Sequence, residues 1–224
     1  MPTASSRDRG PILVGTWSFS LAAIESAWAT LAGVPPLDDR SGGRLGPDSR
    51  LLDAIEVACQ YADLDPGVDS VGFGGLPDSS GRMSLDGAIM ESPIRFAGVA
   101  GLRRHVHPVS VARLVMERTD HTLLCGEDAD DFADRHGLAA RELLSTEAKE
   151  AFERWETARR TGIGGPIDQS KDGSLLGLRP LDPGLGSKDA GRLFRPNGGR
   201  EGAAPAGHDT IGVLGRDAAG NLAA

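Results

Sequence analysis

Hydrophobic and polar positions in the first 160 residues alternate with periods that predict strands interleaved with helices. The run Pro11–Thr16 is apolar and β-branched, which is typical of a strand. Apolar residues then recur at helical spacing over Leu21–Leu31, and again over Leu51–Ala58. These first segments therefore predict the order strand, helix, helix.

Seven further elements are predicted before residue 161. They are strands over Val68–Phe73, Met83–Met90 and Arg95–Ala100, a helix over Val109–Glu117, a strand over His121–Leu124, and helices over Glu127–His136 and Ser145–Arg160. Gly74–Asp78 is a turn between the first two of these strands, and the glycine-rich segment Gly72–Asp78 is predicted to have a structural role. The alternation of strands and helices predicts an α/β sandwich.

Four regions follow from this pattern. Residues 1–10 are expected to be disordered, and residues 11–161 to form the folded sandwich. Residues 162–206 contain eleven glycines and five prolines in 45 positions, which predicts a flexible linker. Residues 207–224 then carry one more strand, predicted over Thr210–Leu214.

Composition and charge argue against nucleic acid and membranes as partners. The 224 residues carry 24 lysines and arginines against 32 acids, a net charge of -8, with no basic face for nucleic acid. No apolar stretch is long enough to cross a bilayer, and Met1–Gly10 lacks the apolar run of a signal peptide. We therefore expect a cytoplasmic protein without nucleic-acid or membrane partners. Cys59 and Cys125 are predicted to be buried free thiols.

Two histidines and an acidic segment are weak candidates for a metal site. His105 and His107 have the spacing of two ligands on a strand, but no third ligand motif accompanies them, which favours solvated or capping roles. The acids in 127–131 lack the glycine and final glutamate of an EF-hand and are typical of the first turn of a helix. No metal and no cofactor are predicted.

The sequence Gly207-His208-Asp209-Thr210 carries the strongest candidate chemistry. It joins the predicted linker to the last strand, where a self-cleaving hydrolase would expose its nucleophile. A cut before Thr210 would free an α-amine with a pKa of about 7.7–8.0, which can accept the proton of the threonine hydroxyl. From these residues alone, an ordinary turn into a strand is the simpler interpretation.

Seven segments of the sequence, taken together in their order, favour the self-cleaving hydrolase over the ordinary turn. The segments are Thr16-Trp17-Ser18-Phe19, Leu52-Asp53-Ala54-Ile55-Glu56, Ser70-Val71-Gly72-Phe73-Gly74-Gly75-Leu76-Pro77-Asp78, Leu85-Asp86-Gly87-Ala88-Ile89-Met90, Gly98-Val99-Ala100-Gly101-Leu102-Arg103-Arg104, His121-Thr122-Leu123-Leu124-Cys125-Gly126-Glu127 and Gly207-His208-Asp209-Thr210-Ile211-Gly212. Together they resemble the glycosylasparaginase branch of the N-terminal-nucleophile hydrolases, the type 2 asparaginases.

The resemblance implies an αββα four-layer sandwich and a precursor that cuts itself between Asp209 and Thr210. Asp209 and His208 would assist the cut, and Thr210 would then be the catalytic nucleophile. Trp17 and Phe19 match residues that line the substrate pocket in the resembled family. Their i, i+2 spacing would put both rings on one face of a strand; core packing is the alternative for both. The substrate would be a small aspartyl amide, namely glycosylated asparagine, free asparagine or an isoaspartyl peptide. Complete relatives would be α/β heterodimers that pair into a dimer of dimers.

Three segments of the resembled family have no match in this sequence. They are a Gly-Thr-Ser-Thr segment, an Arg-x-Gly-Asp substrate loop and a Thr-Gly-x-Gly-Asp oxyanion segment. The expectation is a truncated, incomplete sandwich with impaired activity. The alternative is a non-catalytic remnant or binding protein, in which the strand from Thr210 is an exposed edge over uncovered apolar surface.

Overall fold

The computed structural model describes residues 10–32, 50–68, 70–161 and 210–224. Their helices are α1 (Ser20–Leu31), α2 (Arg50–Leu64), α3 (Pro108–Arg118), α4 (Gly126–Arg135) and α5 (Thr146–Thr161), with a short 3-10 helix over Gly72–Gly74. Their strands are β1 (Ile12–Gly15), β2 (Leu85–Ser92), β3 (Arg95–Leu102), β4 (Leu123–Cys125), β5 (Val213–Arg216) and β6 (Leu222–Ala223). The predicted α/β class is confirmed.

The strands form two three-stranded sheets. One sheet has the order β1-β5-β6 and is antiparallel, so β5, from the end of the chain, lies beside β1, from its beginning. The other has the order β2-β3-β4, with β3 antiparallel to β2 and parallel to β4. The β1–β5 pairing brings Thr16 and Trp17 close to Thr210.

Residue Ala224 links the two sheets. Its N–H donates to the carbonyl of Met90 at 2.9 Å, and its carbonyl accepts from the N–H of Met90 at 2.7 Å. This reciprocal pair has the pattern of an antiparallel ladder. The six strands therefore lie in the continuous order β1-β5-β6-β2-β3-β4.

Helices α1, α2 and α3 pack on one face of these strands. The approach is close where glycine faces a helix: a Cβ on Gly15 would lie 2.5 Å from Ser20 Oγ, and one on Gly215 would lie 2.4 Å from a methyl of Leu51. Val213, Ile89 and Val99 point to the same side and are buried. The hydrophobic core therefore lies between the helices and this face.

The opposite face of the sheets, here called the open face, carries apolar side chains that remain exposed. They are Ile12, Val14, Met90, Phe96, Leu123, Leu214 and Leu222. A groove of about 540 Å³ lies on this face, between β2, β3 and Ala224. Among the described residues nothing covers the open face, so the structure is a helix layer on a sheet layer. The four-layer arrangement is not seen.

The described residues of the segment Val68–Phe73 do not form a strand, contrary to prediction. Gly72 has a left-handed φ of 59°, which ends any extended run, and a Cβ on it would lie 2.2 Å from the carbonyl oxygen of Asp63. Its last two residues, Gly72 and Phe73, instead belong to the 3-10 helix over Gly72–Gly74, which packs against the end of α2. The structural role predicted for this glycine-rich turn agrees with that close approach.

Two other expectations differ from the structure. The strand after Thr210 is not an edge, because β5 lies between β1 and β6. Cys59 is a buried free thiol as predicted, whereas Cys125 is free but exposed, because it lies at the junction between β4 and α4. The predicted linker over 162–206 and residues 1–9 of the disordered N-terminus predicted over 1–10 lie outside the described residues. No helix in the described part of the chain is long and apolar enough to cross a membrane.

Candidate functional site

Thr210 lies at the start of the final described segment, three residues before β5, and is exposed. Its carbonyl accepts a hydrogen bond of 2.9 Å from the indole Nε1 of Trp17. Two residues on, the N–H of Gly212 donates to the hydroxyl oxygen of Thr16 at 2.8 Å, and the carbonyl of Gly212 accepts from the N–H of Thr16 at 2.9 Å. The two predicted site residues Thr210 and Trp17 are thus brought into direct contact.

Trp17 has an unusual backbone. Its φ is 67°, a left-handed value that costs a residue with a large side chain on the order of 1–2 kcal/mol. The conformation is held from the following turn, because the carbonyl of Trp17 accepts from the hydroxyl of Ser20 at 2.9 Å. Half of the Trp17 surface remains exposed. A strained, half-exposed aromatic residue beside a candidate nucleophile is consistent with a binding role.

Phe19 does not share the position of Trp17. The strand ends at Gly15, and residues 16–19 bend and turn into α1, so the two-residue period that was expected to align both rings is lost. Phe19 is half-buried and packs against the core. The premise that Trp17 and Phe19 lie on a strand is therefore wrong, and their role in a substrate pocket stays a prediction.

His208 and Asp209, the residues predicted to assist a cut, lie outside the described residues. Their roles stay predictions. Of the two residues that flank the predicted cut, the structure describes Thr210, whose carbonyl is bound by the ring of Trp17.

His105 is a buried structural residue rather than a solvated one. Its Nδ1 lies 2.9 Å from Oδ1 of Asp130. The same oxygen accepts from the N–H of Arg104 at 3.1 Å, and Oδ2 of Asp130 accepts from the N–H of Arg103 at 2.9 Å. Burial would raise the pKa of Asp130, but these hydrogen bonds outweigh burial and hold the pKa below its usual value. The acids in 127–131 were predicted to lie in the first turn of a helix, and they lie at the start of α4. Among them, Asp130 is the buried one.

His107 binds a different acid. Its Nδ1 lies 3.3 Å from the carboxylate of Asp63 at the end of α2. Burial raises the pKa of Asp63, and the contact with His107 only partly opposes that effect. The two histidines therefore contact acids on different helices instead of converging on one ion.

A buried arginine, which the sequence pattern did not single out, joins α2 to α3. Arg113 is almost fully buried and forms ion pairs with Asp53, Glu56 and Glu117, the last two at 2.8 and 2.7 Å. Burial would lower the pKa of Arg113, but the three acids raise it, so the guanidinium stays charged. In the sequence, the i, i+3 spacing of Asp53 and Glu56 on one helix face was the only signal that could have indicated this cluster.

Comparison with known proteins gives a consistent result. Residues 41–224 match the family model described as asparaginase. An N(4)-(beta-N-acetylglucosaminyl)-L-asparaginase of Elizabethkingia miricola is 34% identical over 172 residues, which make up 77% of this chain and 46% of that protein. The protein of that name from Mus musculus is 36% identical over 156 residues, 69% of this chain and 41% of the mouse protein.

A third relative, from Rattus norvegicus and with the same name, is 37% identical over 146 residues, 65% of this chain and 38% of the rat protein. The chain thus spans less than half the length of these curated relatives. The family match includes Thr210, whereas Trp17 and Phe19 precede it.

Proposed function

The chain belongs to the asparaginase family, and from that premise we propose that it is the part of a self-cleaving amidohydrolase that carries the nucleophile, Thr210. The observation that supports this proposal most is the exposed Thr210 at the entry to β5, with its carbonyl bound by Trp17. The relatives named for hydrolysis of N(4)-(beta-N-acetylglucosaminyl)-L-asparagine indicate the substrate class, the side-chain amide of an asparagine. Free asparagine and isoaspartyl peptides are the alternatives within that class.

The first step in this proposal is the cut itself. The hydroxyl of Thr210 adds to the carbonyl carbon of Asp209, and the peptide C–N bond breaks, which moves the acyl group from nitrogen to oxygen. Water then hydrolyses the ester, leaving a carboxylate on Asp209 and a free α-amine on Thr210. Asp209 and His208 are the proton acceptors proposed for this step.

Turnover then uses the new chain start. The α-amine of Thr210, with a pKa of about 7.7–8.0 in an unperturbed chain, takes the proton of the hydroxyl as its oxygen attacks the side-chain amide carbon. The proton passes to the leaving nitrogen, and the C–N bond breaks. Water hydrolyses the β-aspartyl ester, which releases aspartate and restores the hydroxyl. Trp17, exposed beside Thr210, is the proposed substrate contact, and Phe19 supports it from the core.

The open face fits a larger assembly. Apolar side chains such as Val14, Phe96 and Leu214 cover a sheet face that a soluble protein normally buries. We infer that in the complete enzyme a second sheet packs there, which would give the four-layer αββα sandwich. The part of the complete enzyme that begins at Thr210, its β chain, would supply that sheet. The part before the cut is the α chain, and the resulting α/β heterodimers would pair into a dimer of dimers.

An assay of aspartate release tests the catalytic proposal. Purified chain is incubated with asparagine and with glycosylated asparagine, beside Thr210→Ala and the complete mouse relative. We expect turnover that Thr210→Ala abolishes. It should be far slower than that of the complete relative, because the oxyanion segment of the resembled family has no match in the 224 residues tested. One oxyanion donor is typically worth about 100- to 1,000-fold in turnover. Turnover that persists in Thr210→Ala, or that equals the complete relative, contradicts the proposal.

A second candidate function is association without catalysis. The exposed apolar residues of the open face favour it, since contiguous apolar patches on a surface mark interaction sites. Under this alternative the chain stays uncut and binds through the open face. An uncut chain that forms a stable complex supports this alternative against the enzyme.

A further inference from the structure

We propose that Thr16 is a positioning residue for the Thr210 nucleophile. Its N–H and its hydroxyl together hold the backbone of Gly212, and so fix the path by which residues 210–212 enter β5. The inference rests on the proposed function and adds a residue to it. Thr16 lies just beyond β1 and acts on Thr210 through its two hydrogen bonds with Gly212.

The first support is a departure from regular strand pairing. The β1–β5 register runs from Ile12 opposite Arg216 to Gly15 opposite Val213, so Thr16 lies opposite Gly212 in the next place. In a regular antiparallel pair both bonds would join backbone groups. Here the N–H of Thr16 donates to the carbonyl of Gly212 at 2.9 Å, but the N–H of Gly212 donates to the side-chain oxygen Oγ1 of Thr16 at 2.8 Å.

The second support is the reason for that exchange of acceptor. The chain leaves the strand at Trp17, where φ is 67°. The hydroxyl oxygen of Thr16 takes the place of a backbone acceptor there, so the pairing with Gly212 continues although the strand has ended. Threonine suits this position because its branched Cβ restricts χ1 and so holds the hydroxyl in one place.

The third support is the number of backbone groups that are fixed near Thr210. The carbonyl of Thr210 is bound by Trp17, and both the N–H and the carbonyl of Gly212 are bound by Thr16. Residues 16 and 17 thereby hold three backbone groups of the three-residue entry into β5. A displacement of about 1 Å in a reacting group can cost a hundredfold in rate, so loss of the hydroxyl contact should slow chemistry at Thr210.

The stability of the fold should depend little on this hydroxyl. Thr16 is exposed, so water can take the N–H of Gly212 when the hydroxyl is removed. This separates a positioning role from a merely structural one. A structural role would lower the melting temperature together with the rate of cleavage, whereas a positioning role changes the rate alone.

The test compares cleavage before Thr210 in the full chain of wild type, Thr16→Val, Thr16→Ser and Thr122→Val, followed by intact mass over time. Valine keeps the shape of threonine but loses the acceptor, serine keeps the hydroxyl, and Thr122 is an exposed threonine beside β4 that serves as the matched control. We expect cleavage at least roughly tenfold slower in Thr16→Val, near the wild-type rate in Thr16→Ser and Thr122→Val, and faster hydrogen exchange at Gly212 only in Thr16→Val. Melting temperatures should be equal.

Three outcomes overturn the inference in distinguishable ways. A wild type that is cut at the same rate as Thr16→Val removes the positioning role and leaves the proposed function intact. A parallel fall in melting temperature and rate for Thr16→Val makes the residue structural. If the wild-type chain stays uncut, it does not cleave itself, and both the proposed self-cleavage and the positioning role of Thr16 are contradicted.

Discussion

The buried carboxylate of Asp130 links the stability of the fold to pH. It accepts from the N–H groups of Arg103 and Arg104 and from His105, and these bonds hold its pKa below its usual value. Asp63 also contacts a histidine, but with one long contact burial dominates and its pKa is raised. The number of hydrogen bonds to each carboxylate therefore decides the direction of its shift.

We predict that Asp130→Asn lowers the free energy of unfolding at pH 7 by about 1–3 kcal/mol, because it removes a charged acceptor that is buried. A carboxyl whose folded pKa is depressed stabilises the fold above its unfolded pKa, and that stability is lost as pH falls through the folded pKa. Wild type should therefore lose stability below about pH 4, and the variant should lose less over that range. Urea unfolding at several pH values measures both.

Asp128→Asn is the matched control, since Asp128 is an exposed acid on the same helix, α4. It should leave both the stability at pH 7 and its dependence on pH nearly unchanged. Equal pH profiles for wild type and Asp130→Asn would contradict the role assigned to this carboxylate.

Single residues also show where sequence reasoning reaches its limit. Thr210 and Trp17 were predicted as a site, and they lie in contact. That Phe19 lies in a turn and not on a strand was not predicted, because the turn includes the left-handed φ of Trp17, a conformation that sequence periodicity does not signal in a residue other than glycine. The hydroxyl of Thr16 was missed for a related reason: its role depends on a pairing between positions 196 residues apart.

At the scale of elements, glycine explains the one predicted strand that the structure lacks. Gly72 and Gly126 share a φ of 59°, but their surroundings differ. A Cβ on Gly72 would lie 2.2 Å from the backbone of Asp63, whereas a Cβ on Gly126 would meet nothing within 4 Å. The apolar residues of Val68–Phe73 satisfied the strand pattern, but the close contact with α2 determines the fold of the segment.

The two glycines give a matched experiment. Gly126→Ala should cost about 1–2 kcal/mol of stability, the penalty of a left-handed backbone alone. Gly72→Ala should cost distinctly more, because the new methyl must also displace the end of α2. Urea unfolding of both variants checks the difference, and equal losses would contradict the close packing at Gly72.

The helices were the most predictable elements. Helices α1 to α5 lie close to their predicted positions, and Ser145 accepts from the N–H of Ala148 at 3.1 Å at the predicted start of α5. The ion pairs of Arg113 with acids on α2 could not be inferred, because they depend on how two helices pack and not on either pattern alone.

At the scale of the whole molecule, the open face is the feature with the largest consequence. Cross-strand neighbours Val14 and Leu214 are both about half exposed on it. We predict that the chain associates with increasing concentration, and that Val14→Lys combined with Leu214→Glu, an oppositely charged cross-strand pair, reduces that association. Sedimentation velocity over a range of concentrations measures this.

Leu21→Lys is the control, because Leu21 is just as exposed but lies on α1. It should not change the association. A wild type that remains a monomer at every concentration would contradict the interpretation of the open face as a binding surface.

Architecture was predictable from the sequence to the level of class. The alternation of strands and helices predicted α/β, and the structure has this class. The second sheet of the expected sandwich is not seen, and its evidence is indirect: an apolar face that the described residues leave uncovered. Sequence pattern located these strands, but it could not show what would cover their second side.

The identity of the residue that begins the small fragment tests the central claim most directly. The claim is that Thr210 becomes a chain start through its own hydroxyl. Intact-mass and N-terminal analysis of purified wild type should reveal a 15-residue peptide, 210–224, beginning with threonine, and Thr210→Ala should remain a single chain of 224 residues. An uncut wild type, or a cut that persists in Thr210→Ala, would contradict the account.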